Sequence, residues 1–134
     1  MELTELIRSS MSLCGLLGIE AVEMSADRVV LQLAWRDDLL TSAELMHGGA
    51  VMALADAAGG ACAFANLPDG AAGTSTIESK TNFLRGVREG DVVTATAVPL
   101  HVGRSTIVVE TELRNTAGAL VAKTTQTQSV LRAG

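Results

Sequence analysis

Aromatic side chains are nearly absent: the 134 residues contain no tyrosine, one tryptophan and two phenylalanines. Nucleic-acid bases therefore find almost nothing to stack on, and a formal net charge of −5 removes the attraction that a nucleic-acid binder relies on. No nucleic-acid partner is expected. Cysteine is equally scarce. Cys14 and Cys62 cannot build a disulfide framework in a chain of this size, and their apolar surroundings predict free, buried thiols in a reducing compartment. Neither has a histidine nearby in sequence, which argues against a cysteine nucleophile. His47 and His101 are far apart, so no metal-ligand spacing exists; His101, at a strand end, is expected on the surface. The opening MELTELIRSS carries acids where a signal peptide carries Lys or Arg, and it lacks a long apolar core. A cytoplasmic protein is expected.

What is present is a 48% hydrophobic chain whose core must come from Val, Leu, Ile, Ala and Met, long enough for one domain over residues 1–134. Charge is unevenly spread: residues 1–79 hold 3 basic and 11 acidic side chains, residues 80–134 hold 7 and 4. Lys80, Arg85, Arg88, Arg104 and Arg114 are thus either a local basic rim or ordinary solvated strand-edge charges.

Apolar spacing predicts a helix from Glu2 to about Gly15, with Gly15 as its stop. Two strands follow, about 21–24 and 28–35, joined by a turn at Ser25-Ala26-Asp27. A glycine-led helix is expected over about 48–65, closed by Asn66-Leu67-Pro68-Asp69-Gly70. Four strands complete the chain, at 74–83, 92–100, 105–114 and 120–131. Ile107, Val109, Thr111 and Leu113 alternate with Val108, Glu110, Glu112 and Arg114, the pattern of a strand with one wet face. One long apolar helix and a largely antiparallel sheet of about six strands imply an α+β fold, with the sheet curled around the helix. One helix covers one face only, so the free edges and remaining apolar surface call for at least a dimer.

The chemistry concentrates in MHGGAVMALADAAGGACAFANLP, residues 46–68. Its length tempts a membrane-spanning reading, but its glycines, alanines and central Asp56 suit close packing on a sheet, and no membrane partner is expected. An ionised carboxylate deep in such a segment costs several kcal/mol unless something uses or pairs it. Asp56 is therefore either a buried acid held by backbone or hydroxyl groups, or a working group. His47 either caps and packs the helix start or takes part in the site. Gly48 and Gly49 bare backbone N–H groups at a helix N-terminus, suited to polarising an electrophile, or simply allow a tight entry. Gly59 and Gly60 serve packing or the close approach of a substrate. Nine residues separate His47 from Asp56, roughly 13 Å along a helix and on opposite sides of it. The carboxylate and the helix start cannot meet within one helix. A two-fold dimer resolves this, with Asp56 of one chain facing the Gly48-Gly49 start of the other.

HGGAVMALADAAGGA followed by GTSTIESKTNFLRGVREGDVVTATAVPLHVGRSTIVVETELRNTAGALVAKTTQT resembles the hotdog-fold acyl-CoA thioesterases of the phenylacetic-acid-degradation group, over about residues 20–130. The most specific parts are His47-Gly48-Gly49, the acid nine residues after His47, the stretch Thr76, Glu78, Asn82, Phe83, Leu84, Arg85, and the Gly103-Arg104 turn. The resemblance implies the hotdog fold, a homodimer or homotetramer, and a site between two chains. By position it implies Asp56 as catalytic acid, Gly48 as oxyanion-type donor, His47 as the residue shaping the helix start, and Thr76 near the attacking water. Gly49, Asn82 and Gly103 join Arg85, Arg88 and Arg104 as implied substrate- and CoA-binding positions. The asparagine that many members carry six residues before the histidine is Thr41 here, which offers a hydroxyl to water or thioester instead. The usual proline after the NFLR stretch is Gly86.

A thioester suits these residue types. Its thiolate leaves without a strong acid, so an oxyanion donor, a base or nucleophile and a grip on the carrier suffice. Asp56 serves as base or as nucleophile, and Arg85, Arg88 and Arg104 offer bidentate contacts to the phosphates of coenzyme A. The expected activity is hydrolysis of an aryl- or medium-chain acyl-CoA, the CoA thioester being the substrate, with no cofactor and no metal. The alternatives are a hotdog acyl-CoA hydratase or dehydratase, which usually wants a paired acid and base, and a non-catalytic acyl-CoA-binding dimer.

Overall fold

The computed structural model describes residues 1–133. Helices α1 (Leu3–Ser10) and α2 (Ser12–Leu17) precede strands β1 (Glu20–Met24) and β2 (Val29–Ala34). A short 3-10 turn, Ser42–Glu44, leads into α3 (Gly48–Ala65), and β3 (Ala71–Phe83), β4 (Val92–Val102), β5 (Thr106–Arg114) and β6 (Leu120–Arg132) follow. All six strands form one antiparallel sheet in the order β1-β2-β4-β5-β6-β3. It wraps around α3, which touches every strand. This is the expected hotdog arrangement.

The N-terminal helix differs from its expected form. It breaks at Met11, whose backbone is extended, and the second piece runs through Gly15 to stop at Gly18, which takes the left-handed conformation at φ 75. Gly18 is the residue that can adopt that geometry without a Cβ penalty. Strand β4 continues past Pro99 because β2 ends opposite Ala97, so no neighbour on that side needs the N–H that Pro99 lacks.

Strand alternation builds the core. Val29, Leu31 and Leu33 of β2, Val93, Ala95 and Ala97 of β4, and Ile107, Val109 and Leu113 of β5 are buried against Val51, Leu54, Ala55 and Ala58 of α3. Each large side chain so buried contributes about 1.5–3 kcal/mol. Helix α3 is long and apolar enough to cross a bilayer, yet here it is the core helix, half of it buried in the sheet. Small residues let it approach closely. A Cβ on Gly59 would collide with the Gln126 amide of β6, so this glycine is a packing requirement, whereas Gly60 has open space beside it. Asn66 ends the helix by donating from Nδ2 to the carbonyls of Cys62 and Ala26. Cys14 and Cys62 are buried and unpaired, as expected.

Strand β3 lies at a free edge of the sheet, with Ile77, Phe83 and Leu84 exposed along it and at its end. A bulge between Thr76 and Glu78 decides which of its side chains face the helix. Thr76 sits opposite the inward-facing Gln128; past the bulge the inward partners are Ser79, Thr81 and Phe83, opposite Gln126, Thr124 and Ala122.

Candidate active site

Asp56 lies halfway along α3, facing β3 and β6. The expectation of a buried carboxylate does not hold in the single chain: Asp56 is exposed, because α3 runs close to the free β3 edge there. It is nonetheless held. Thr76 Oγ1 donates to Asp56 Oδ1 at 3.1 Å, and Gln126 Nε2 donates to the same oxygen at 3.2 Å. Gln128 Nε2 in turn donates to Thr76 Oγ1 at 2.6 Å. Among the described residues, Oδ2 has no hydrogen-bond partner. The carboxylate opens to a cavity of about 260 Å³, with Met11, Gly60, Ala61, Phe64 and Thr74 in its wall.

The helix start is a second feature. His47 is the N-cap, and its Nδ1 accepts from the Gly49 N–H at 2.8 Å. The Ala50 and Val51 N–H groups donate to the His47 carbonyl, which leaves Gly48 N–H without a partner among the described residues. A helix N-terminus carries about half a positive charge, concentrated on such free donors. Gly48 opens to a cavity of about 390 Å³ lined also by Thr41, Leu45, Phe83, Arg85 and Gly86. His47 and Gly49 face a different cavity, of about 410 Å³, beside Asp38, Leu39 and Ala50. The approach to the helix is bent: Ala43 and Glu44 both adopt positive φ, and Trp35 Nε1 donates to the Glu44 carbonyl at 3.0 Å.

Within one chain, then, Asp56 joins Thr76, while Gly48 joins Thr41 and Arg85. The two cavities share no lining residue. Gly48 and Asp56 are eight positions apart on the helix, ~12 Å along the axis. Arg88 sits on the turn after β3, its N–H donating to Asp91 Oδ2. Arg104 lies at the other end of the sheet, where its carbonyl accepts from Arg132, so the single chain does not gather the three arginines. Of the expected basic rim, Arg114 is engaged by Glu112 at 2.9 Å, whereas Arg85, Arg88 and Arg104 make no ion pair among the described residues. Gly103 has a steric role, since a Cβ there would come within 2.9 Å of the Thr106 carbonyl. Asn82 pairs with Lys123 on the outer side of β3 and lines neither cavity. His101 is exposed at its strand end, as expected.

Sequence reasoning missed Gln126 and Gln128. The signal was present: TTQTQ alternates in a strand whose Ala122 and Val130 face the core, so two amides had to face it as well. Burial also pushes the Cys62 thiol up to about 11. It pushes Cys14 up too, an effect that Arg8 opposes and Asp56 reinforces. Neither thiol is an available nucleophile near neutral pH. Among the described residues, no group of three His, Cys, Asp or Glu side chains could hold a metal ion.

Comparison with known proteins agrees with this fold. The model of the thioesterase superfamily matches residues 43–122. ComA2 of Bacillus subtilis, which carries a provisional esterase name, is 38% identical over 92 residues, spanning 69% of this chain and 72% of that protein. The structure of the thioesterase HI1161 from Haemophilus influenzae superposes with a TM-score of 0.88 at 28% identity, covering 98% of this chain and 92% of that one. The E. coli PaaI protein, from the phenylacetic acid degradation operon, gives a TM-score of 0.85 at 25% identity over 98% of this chain and 91% of that one.

Proposed function

Because this chain belongs to the thioesterase superfamily, we propose that it hydrolyses an aryl- or medium-chain acyl-CoA to the free acid and CoA, in sites that two copies of the chain build together. The observation that carries this reading is the division of labour along α3: a carboxylate with one oxygen held and one free, and a single unpartnered N–H eight residues earlier, in separate cavities. A thioester needs both at one carbonyl. Two copies related by a two-fold axis beside the free β3 edge bring Asp56 of one to Gly48 of the other.

In that site the Gly48 N–H, at the positive end of α3, receives the negative charge that develops on the carbonyl oxygen; one such donor is worth ~2.7–4 kcal/mol. The free Oδ2 of Asp56 either takes a proton from water as it attacks, or attacks the carbonyl itself to form an anhydride that water then opens. CoA leaves as a thiolate, and the chemistry calls for water but no cofactor. Arg85, in the wall of the Gly48 cavity, and Arg88, three residues further along the same turn, suit the carrier's phosphates. Arg104, at the far end of its own sheet, would come from the copy that supplies Asp56. His47 withdraws the Gly49 N–H from competition, so that Gly48 alone addresses the substrate. Thr41, on the wall of the Gly48 cavity, offers a hydroxyl to the thioester or water.

Release of free thiol from phenylacetyl-CoA, octanoyl-CoA and acetyl-CoA, followed with a thiol reagent, tests the reading. Turnover by the wild type and its loss in Asp56→Asn are expected. Binding without thiol release would point instead to a non-catalytic acyl-CoA protein, and hydration of an enoyl-CoA to a hydratase.

A further inference from the structure

We infer that Gln126 is a positioning residue of the reaction, whose buried amide holds Asp56 with Oδ1 occupied and Oδ2 presented to the substrate. The inference rests on the reading of Asp56 as the reacting acid, and it comes from following hydrogen-bond direction outward from that carboxylate. An ionised carboxylate only accepts. Thr76 must therefore spend its single proton on Asp56 Oδ1, and its own oxygen must accept, which it does from Gln128 Nε2. The Gln128 carbonyl then faces Thr74, whose hydroxyl lies 3.1 Å from it and 2.9 Å from the Ser129 carbonyl. Gln126 is placed by the same logic. Its Nε2 must face Asp56, so its carbonyl must turn the other way, against Gly59.

That orientation is unfavourable in itself. Gln126 is 1% exposed, and its Oε1 accepts no hydrogen bond from the protein. A methionine would fill the same space with no polar atom to satisfy. The helix accommodates the amide only because residue 59 has no side chain. A buried amide with one end unsatisfied and the other on the reactive carboxylate is placed for the carboxylate, and both of its protein donors converge on one oxygen. Asp56 otherwise faces neutral groups from β3 and β6. From α2 it faces Cys14, whose burial-raised thiol stays protonated, and Arg8 of α1 is engaged with the carbonyls of Gly18 and Ile19.

The test compares Gln126→Met and Gln126→Glu with the wild type and Asp56→Asn, on whichever of phenylacetyl-CoA and octanoyl-CoA turns over faster. Each protein is assayed well below its own melting temperature. Without that hold the carboxylate is free to swing Oδ2 away from the substrate, and misplacing a reacting group by about an ångström predicts kcat lower by about 10- to 100-fold in Gln126→Met. KM should stay within about twofold, because the amide touches no substrate. Removing a donor also disfavours the ionised carboxylate, so the acid limb of the kcat profile should move to higher pH. Gln126→Glu should move it further, because two touching carboxyl groups share a proton. A packing role instead lowers the melting temperature and leaves the acid limb in place, and that result overturns the inference. So does wild-type kcat in Gln126→Met with Asp56→Asn inactive, an outcome that leaves the proposed function standing. Activity in Asp56→Asn overturns both.

Discussion

The shared site is open to a complementation test. Gly48 is the first residue of α3, where a missing N–H breaks no helical bond. Gly48→Pro therefore removes the one free donor and little else. The preceding residue must be extended to tolerate a proline, and His47 already is, at φ −59 and ψ 133. A Cβ at position 48 would lie 3.2 Å from the Phe83 ring, which is 51% exposed and able to move. Loss of the donor should lower kcat by ~10²–10³-fold, while Gly48→Ala, which meets Phe83 in the same way but keeps the N–H, should stay within a few-fold of wild type. Asp56→Asn should be inactive. Co-expressed in equal amounts, the two inactive chains pair at random. Half the dimers are mixed, and each has one site with both lesions and one with neither, so roughly a quarter of wild-type activity returns. Thiol release by the co-purified mixture, with mixed dimers verified by two affinity tags, reads this directly against a background of about 1% or less. Mixed dimers without recovered activity would mean that Asp56 and Gly48 serve the same chain, and the shared-site reasoning would be wrong.

Gly59→Ala should drive the Gln126 amide off the helix, destabilising the fold by about 1–3 kcal/mol and lowering kcat together; denaturant melts and thiol release on the same sample check this, and an unaffected kcat would refute the coupling. Arg85→Ala and Arg88→Ala should each raise KM for an acyl-CoA roughly fivefold, about 1 kcal/mol, with kcat unchanged, and should leave the corresponding acyl-pantetheine untouched; equal losses on both substrates would make the arginines structural. Cys62 is held up to about 11 by burial, so its thiol stays protonated through the assay range. Cys14 and Cys62 should then react with a thiol reagent only in denaturant, and stability should fall as pH rises from 9.0 toward about 11, where the unfolded Cys62 ionises and the folded one does not.

Local signals in the sequence determined the succession of the six strands around α3, the span of α3, the turns at Ser25-Ala26-Asp27 and Asn66–Gly70, and the alternating faces of β5, because turn chemistry, capping and side-chain period act over a few residues. The same signals singled out Asp56 and the glycine-led helix start, since a lone charge and bare N–H groups in an apolar run are conspicuous without any fold. Tertiary structure decided what these groups touch. Asp56 meets Thr76 and Gln126 across 20 and 70 residues of chain, and its exposure follows from α3 lying near a free sheet edge. Simple alternation from Thr76 carries Asn82 onto the same face as Asp56. One extra residue in β3 reverses that parity, turning Asn82 outward and Phe83 onto Gly48. A bulge is set by the pairing of two strands, and so are the three arginines' positions at opposite ends of the sheet. Such contacts depend on register between distant segments, which no local pattern carries.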